Sequence, residues 1–206
     1  MSKRASVEVS YEVLVTDKDG KVISREARIC RSLLKNFAYW LYLPFSVAYA
    51  GYPSLSLTDT LSQARTVGSK GAGACSLGHF GALQAAAATH LYGIVIGTTA
   101  VAPLPTDVAL GAQIQTGVGA GQLVHNAQSI EVVATVGSVS SFRMTRTFTN
   151  NHANPTTVNE IGLYISMTDT GDVQRYFAIC KDLLAASQTV NNGQTLTVRY
   201  TVSVTT

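Results

Sequence analysis

Chemistry at neutral pH needs side chains that ionise, attack or ligate and that neighbours can tune, and this chain scatters them. His79, His90, His125 and His152 never fall at the helical i,i+4 spacing, and no HExxH zinc-ligand pair exists. Cys30, Cys75 and Cys180 are odd in number and far apart. They form neither a disulfide ladder nor a CxxC half-site and read as buried free thiols. Asp169 and Asp172 flank a glycine, but the further oxygens of a calcium loop are missing, so turn chemistry is expected there. The run GSKGAGAC at 68–75 lacks the GxxxxGK[ST] order, and no strand delivers it to a phosphate. These residues predict no catalytic group, no metal and no cofactor.

Glu160 has the one unusual address, inside the apolar stretch Val158-Asn159-Glu160-Ile161-Gly162-Leu163-Tyr164. Alternation puts it with Val158, Gly162 and Tyr164, opposite Ile161 and Leu163, and hence on the less buried side. A carboxylate covered by another surface wants a cation or backbone amides. Arg143 or Arg146, on the segment SFRMTRTF, supplies that cation if the two strands pair. The expectation is a structural ion pair.

The balance of the chain bounds its partners. It is 206 residues long, 46% hydrophobic and only 13% charged, about half the charge of an ordinary soluble domain, so much of its surface should be uncharged and covered by neighbours. A net charge of +3 is too small and dispersed for a nucleic-acid footprint. Arg25, Arg28 and Arg31 form the densest basic group and read as a solvated strand end entering a helix. No stretch approaches the roughly 20 apolar residues of a membrane span, and no signal-peptide core follows Lys3-Arg4. Synthesis and assembly in a reducing cytoplasm are expected, with no membrane and no specific nucleic acid as partner.

Residues 6–15 alternate apolar Val7, Val9, Tyr11, Val13 and Val15 with Glu8, Ser10 and Glu12, as a half-buried strand does. Turn residues 16–20 then allow KVISREARI to return as the second strand of a hairpin. Residues 32–43 carry Leu33, Leu34, Phe37 and Leu41 at helical spacing, and Pro44 stops them. Further strands are expected at 91–97, 130–136, 141–150, 157–166, 173–180 and 194–206, with turn-forming links between them. Short strands without intervening helices favour an antiparallel sheet pair. The fold class is therefore mainly β: an antiparallel β-sandwich, Greek-key or jelly-roll-like, with an N-terminal hairpin, one short helix and a long Gly/Ala-rich insertion. Residues 1–48 hold the hairpin and helix and join 91–206 in one domain. Residues 49–90 form an extended assembly arm, weakly structured until another subunit packs on it, with Leu55, Leu57, Leu61, Leu77, Phe80 and Leu83 as anchors.

Arg146-Thr147-Phe148-Thr149-Asn150-Asn151, then Val158-Asn159-Glu160-Ile161-Gly162-Leu163-Tyr164, then the closing strand from Gly193 to Val202, resemble a C-terminal module of tail-collar and tail-fibre proteins of tailed bacteriophages. Upstream, Ile96-Gly97-Thr98-Thr99, Leu110 and 117–123 are similar to the stretch before that module. The resemblance covers residues 91–206 and implies a non-enzymatic virion structural protein, in the shell, decoration, neck or tail, whose partners are copies of itself and other virion proteins. The chain lacks the repeated stalk and receptor-binding tip of tail fibres. The alternative is a carbohydrate-binding or adhesin-like module presenting Tyr39, Trp40, Tyr42, Tyr49 and Tyr52 to a host glycan.

Overall fold

The computed structural model describes residues 6–42, 55–67 and 81–205. The alternating N-terminal segment forms β1 (Ser6–Thr16), which turns back as β2 (Val22–Ile29). A short helix, α1 (Lys35–Tyr42), follows, then the hairpin β3 (Leu55–Thr58) and β4 (Ala64–Val67). The remaining strands are β5 (Gly93–Gly97), β6 (Val124–His125), β7 (Ser129–Ile130), β8 (Ala134–Val136), β9 (Val139–Thr149), β10 (Thr156–Thr168), β11 (Gln174–Val190) and β12 (Thr195–Thr205).

They build two main antiparallel sheets. One runs β2-β1-β12-β9, with β6, β7 and β8 against the far side of β9; the other runs β11-β10-β5. Between them lies one core: Val9, Val13, Met144, Phe148, Leu196, Val198 and Tyr200 from the first sheet meet Ile94, Ile96, Ile161, Leu163, Ile165 and Phe177 from the second. Mainly β, antiparallel and sandwich-like, the chain has the expected class. β12 is central, paired with β1 on one side and β9 on the other, which explains how a strand with Arg199 as its one charge stays covered along both edges.

Local differences have local causes. The expected helix begins only at Lys35 because Leu33 bridges Cys180 and the Leu34 amide donates to the Ile179 carbonyl, so this backbone extends the second sheet instead. The strand expected at 130–136 splits into β7 and β8, with Val132 and Val133 turned out to solvent between them. Strand β11 runs 17 residues, past the expected end at 180, because β10 keeps pairing with it as far as Val190.

One turn design recurs three times. Asp17, Asp59 and Asp169 each accept, through Oδ1, the amides two and four residues on, while a residue with positive φ, Gly20, Ser62 or Asp172, sits three residues on. In the second and third copies Oδ2 takes the Nε of an arginine six residues on, Arg65 or Arg175. These two tips lie side by side: the Thr60 amide donates to the Tyr176 carbonyl and the Thr170 amide to the Thr66 carbonyl. The oxygens of Asp169 are thereby spent on its own loop, as turn chemistry requires.

The assembly-arm reading of 49–90 needs correction where the chain is described. Leu57 and Val67 lie within the chain's own core, and Leu55 and Leu83 pack against it. Leu61, 72% exposed at the tip of the β3–β4 hairpin, stays out of that core, while Leu77 and Phe80 lie outside the described residues. The reason is that β3 and β4 pair with each other and dock on the β10–β11 turn, so the large side chains find partners within the fold.

Leu163→Ala should cost about 2–5 kcal/mol in urea unfolding, because both sheets close over that side chain. A loss under about 1 kcal/mol would show that this face of β10 is not the core.

Candidate functional site

Glu160 is fully buried rather than half-covered. Alternation assigns most of this strand correctly: Ile161, Leu163 and Ile165 point into the sandwich, and Tyr164 joins Val95, Leu110, Ala178 and Leu34 in a second cluster on the back of β10, but an irregularity between Val158 and Glu160 puts Val158 in the main core and not on the face of Glu160. That back face is roofed by the loop from about Leu104 to Gln113, and so the expected exposure does not occur.

The cation is also a different one. Arg143 and Arg146 stand on β9, in the other sheet, so the pairing of β9 with β10 on which that ion pair depended does not form. Instead Lys181 Nζ lies 3.7 Å from Glu160 Oε2 and donates to Asp107 Oδ2 at 2.9 Å. Glu160 Oε1 accepts the Ala112 amide at 3.2 Å. Burial raises the Asp107 pKa, but the Lys181 hydrogen bond, the Leu104 amide and the Lys181 charge outweigh it and hold the carboxyl below its usual range. Lys181, which with Asp182 interrupts the apolar run 177–184, went unnoticed in the sequence; a charge inside a strand of that kind is itself the signal of a buried partner.

The EIGLY residues divide the work by parity. Glu160 anchors the loop through Ala112, and Tyr164 accepts the Leu110 amide on its hydroxyl. Gly162 between them lets β11 approach, since a Cβ there would sit 2.8 Å from the Cys180 carbonyl oxygen. Gly97, opposite Glu160 in register, makes room for the carboxylate: a Cβ there would sit 2.5 Å from Oε1. Asn159 completes the attachment by donating to the Thr98 carbonyl at 2.6 Å. This is a clasp for a loop.

Arg146 is likewise fully buried, and its donors all go to main-chain oxygens. Nε donates to Asn126, one terminal nitrogen to Tyr92 and Ile94, and the other to Ala86 and Thr89. Burial lowers its pKa to about 10, which still leaves it charged at neutral pH. Gln128 adds a second staple, accepting the Ile94 amide and donating to the Leu83 carbonyl. Arg143 remains at the surface, 3.7 Å from Glu131. Arg25 and Arg28 pair with Glu12 and Glu26 at the exposed end of β2, as a solvated strand end should.

His125 packs edge-on against Phe148, with Nδ1 3.3 Å from the Thr89 carbonyl and, among the described residues, no hydrogen-bond partner at Nε2. Burial, then the Arg146 charge and His90, push its pKa down to about 4. Cys30 and Cys180 are free and buried as expected, but not apart: their sulfurs lie 3.0 Å from each other, with Asp182 beside them. Cys75, like His79, lies outside the described residues. Against this geometry, comparison with family models, curated proteins and solved structures finds no match for the chain.

Lys181→Met leaves Glu160 buried without a cation and should cost about 3–5 kcal/mol, whereas the Glu160→Gln, Lys181→Met double variant recovers much of that loss. Additive losses in a denaturation cycle would break the proposed coupling. A second outcome concerns acid. The unfolded chain protonates His125 below about pH 6.5 while the native state resists until about pH 4, so stability should fall as pH drops through this window. Thermal melts of wild type and His125→Phe between those limits check it: the variant's slope should be the shallower.

Proposed function

We propose that the chain is a non-enzymatic structural subunit of a virus particle, of the tailed-bacteriophage kind its EIGLY segment resembles. It is made in the host cytoplasm and builds shell, decoration, neck or tail with copies of itself and other virion proteins. One observation carries the assembly part of this reading. Val7, Val132 and Val136 are 71%, 89% and 80% exposed, and Val133, Val139 and Val204 are exposed beside them. Register gathers them at one end of the first sheet, on both of its faces: Val7 stands opposite Val204 on the core-side face, and Val139 opposite Val136 on the outer face. A monomer gains nothing from valines held in water on both faces of one sheet end, and a neighbour that covers this end removes that cost. The outer strand β2 adds exposed Val22, Ile23 and Ile29 at a sheet edge.

The carbohydrate-binding alternative gains no comparable support. Tyr39 and Trp40 pack against the core instead of standing out as a sugar platform, Tyr42 alone of the described three is exposed, and Tyr49 and Tyr52 lie outside the described residues.

Light scattering during size exclusion should find wild type as an oligomer, and the paired substitution Val132→Lys with Val136→Lys should weaken association at least about tenfold with an unchanged circular-dichroism spectrum. A wild-type chain that stays monomeric at high micromolar concentration would remove the assembly reading, and a glycan array tests the alternative.

A further inference from the structure

Cys30 closes β2 in the first sheet, and Cys180 and Asp182 lie on β11 in the second, so three metal-ligating side chains from facing sheets converge in the core. A β-bulge brings them to one side. Leu163 pairs with Cys180 but Tyr164 with Ala178, so the extra residue Ile179 leaves Cys180 facing the core, and alternation carries Asp182 to the same side. The ligand atoms all fall within 4.8 Å of one another, and all three residues are buried.

The carboxylate is the unexplained member. Glu12, Glu26, Asp59, Asp107, Glu160 and Asp169 each stand within ion-pair distance of an arginine or lysine. Among the described residues Asp182, only 4% exposed, has hydrogen-bond donors but no cationic partner: the Cys180 thiol at 3.0 Å and the Tyr200 hydroxyl at 3.4 Å meet the same oxygen, Oδ2. A buried carboxylate left without a cation is costly.

We infer that Cys30, Cys180 and Asp182 form a binding site for a thiophilic divalent cation of the zinc class, tying the two sheets together. Two thiolates and a carboxylate are the donor set such a cation prefers, and water from outside completes four-coordination. The water has a route, because Asp182 borders a cleft of about 390 Å³ lined also by Tyr11, Arg28, Ile29, Arg31 and Ser32. Tetrahedral bonds hold such ligands roughly 3.5–3.8 Å apart. The present 3.0 Å separations between the two sulfurs and between Cys180 and Asp182 therefore open by under about 1 Å on loading. Binding displaces both thiol protons to solvent. Three anionic ligands around a dication leave one excess negative charge, and Arg28 and Arg31 face it from the cleft. Tyr200, hydrogen-bonded to Asp182, orients the carboxylate from behind.

The test uses the full chain in a Cys75→Ser background, reduced and stripped with chelator, then titrated with cobalt(II) and afterwards zinc(II). One cobalt per chain should bind with thiolate-to-cobalt charge-transfer absorption, zinc should abolish that absorption, and Cys30→Ser or Cys180→Ser should each prevent it. Tyr200→Phe, which removes only a hydroxyl, should fold and bind about tenfold more weakly. No charge-transfer absorption in the reduced protein, absorption that survives both serine variants, or a disulfide forming between the pair despite saturating zinc would each overturn the site. The outcome is independent of the virion reading.

Discussion

Arg146 carries its charge into the core, where among the described residues no carboxylate meets it. Its charge is instead dispersed over five carbonyl dipoles, from Ala86, Thr89, Tyr92, Ile94 and Asn126. Three of those oxygens, from Ala86, Thr89 and Tyr92, belong to a segment with no regular structure from 83 to 92, so nothing in its own backbone pattern would satisfy them. Guanidinium and loop therefore specify each other: the loop supplies three of the five carbonyls that take the charge, and the charge fixes the loop. Because that loop leads directly into β5, the placement of the second sheet's edge strand follows from a side chain of the first.

The same device works on the back of β10 with opposite polarity. There an acid, Glu160, gathers a backbone amide and a lysine beneath the roof loop. Buried ions in both places act as staples for irregular chain, and the geometry they demand is narrow. Burying a charge without complete partners costs more than the contact gains, so such loops have one acceptable conformation. This accounts for how a chain with few charged residues can hold long stretches outside helices and strands.

Period and punctuation made the sheets legible before the structure. Alternation in 6–15 and from Glu160 to Ile165 identified which residues face inward, with Val158 lost to the irregularity that follows it, and the Asp and Gly links identified turns. What escaped was everything set by contacts between sheets. The partner of Glu160 depended on β9 and β10 lying in different sheets, which no local pattern encodes. Arg146 looked like a surface cation for an acid, yet its partners are carbonyls distant in sequence. Leu57 and Leu83 read as anchors for another subunit because the segment around them has few large side chains, whereas the four-residue strand β3 suffices to hold Leu57 in the chain's own core. Cys30 and Cys180 are separated by 150 residues, so their meeting is a property of the sandwich alone.

The pairing of β1 with β12 sets the tempo of folding. Glu12 stands opposite Arg199, and the whole ladder joins residues nearly a chain length apart. Pairings of this separation give high contact order, and such proteins reach the native state in milliseconds to seconds instead of microseconds. On the ribosome β1 emerges early and has only β2 beside it until β12 has been translated. For that interval its other edge is an unpaired template, apolar on one face, at the stage when nascent chains are most prone to aggregate. The three Asp-capped hairpin loops are the counterweight: each closes locally and early, limiting how many long-range pairings are left to find.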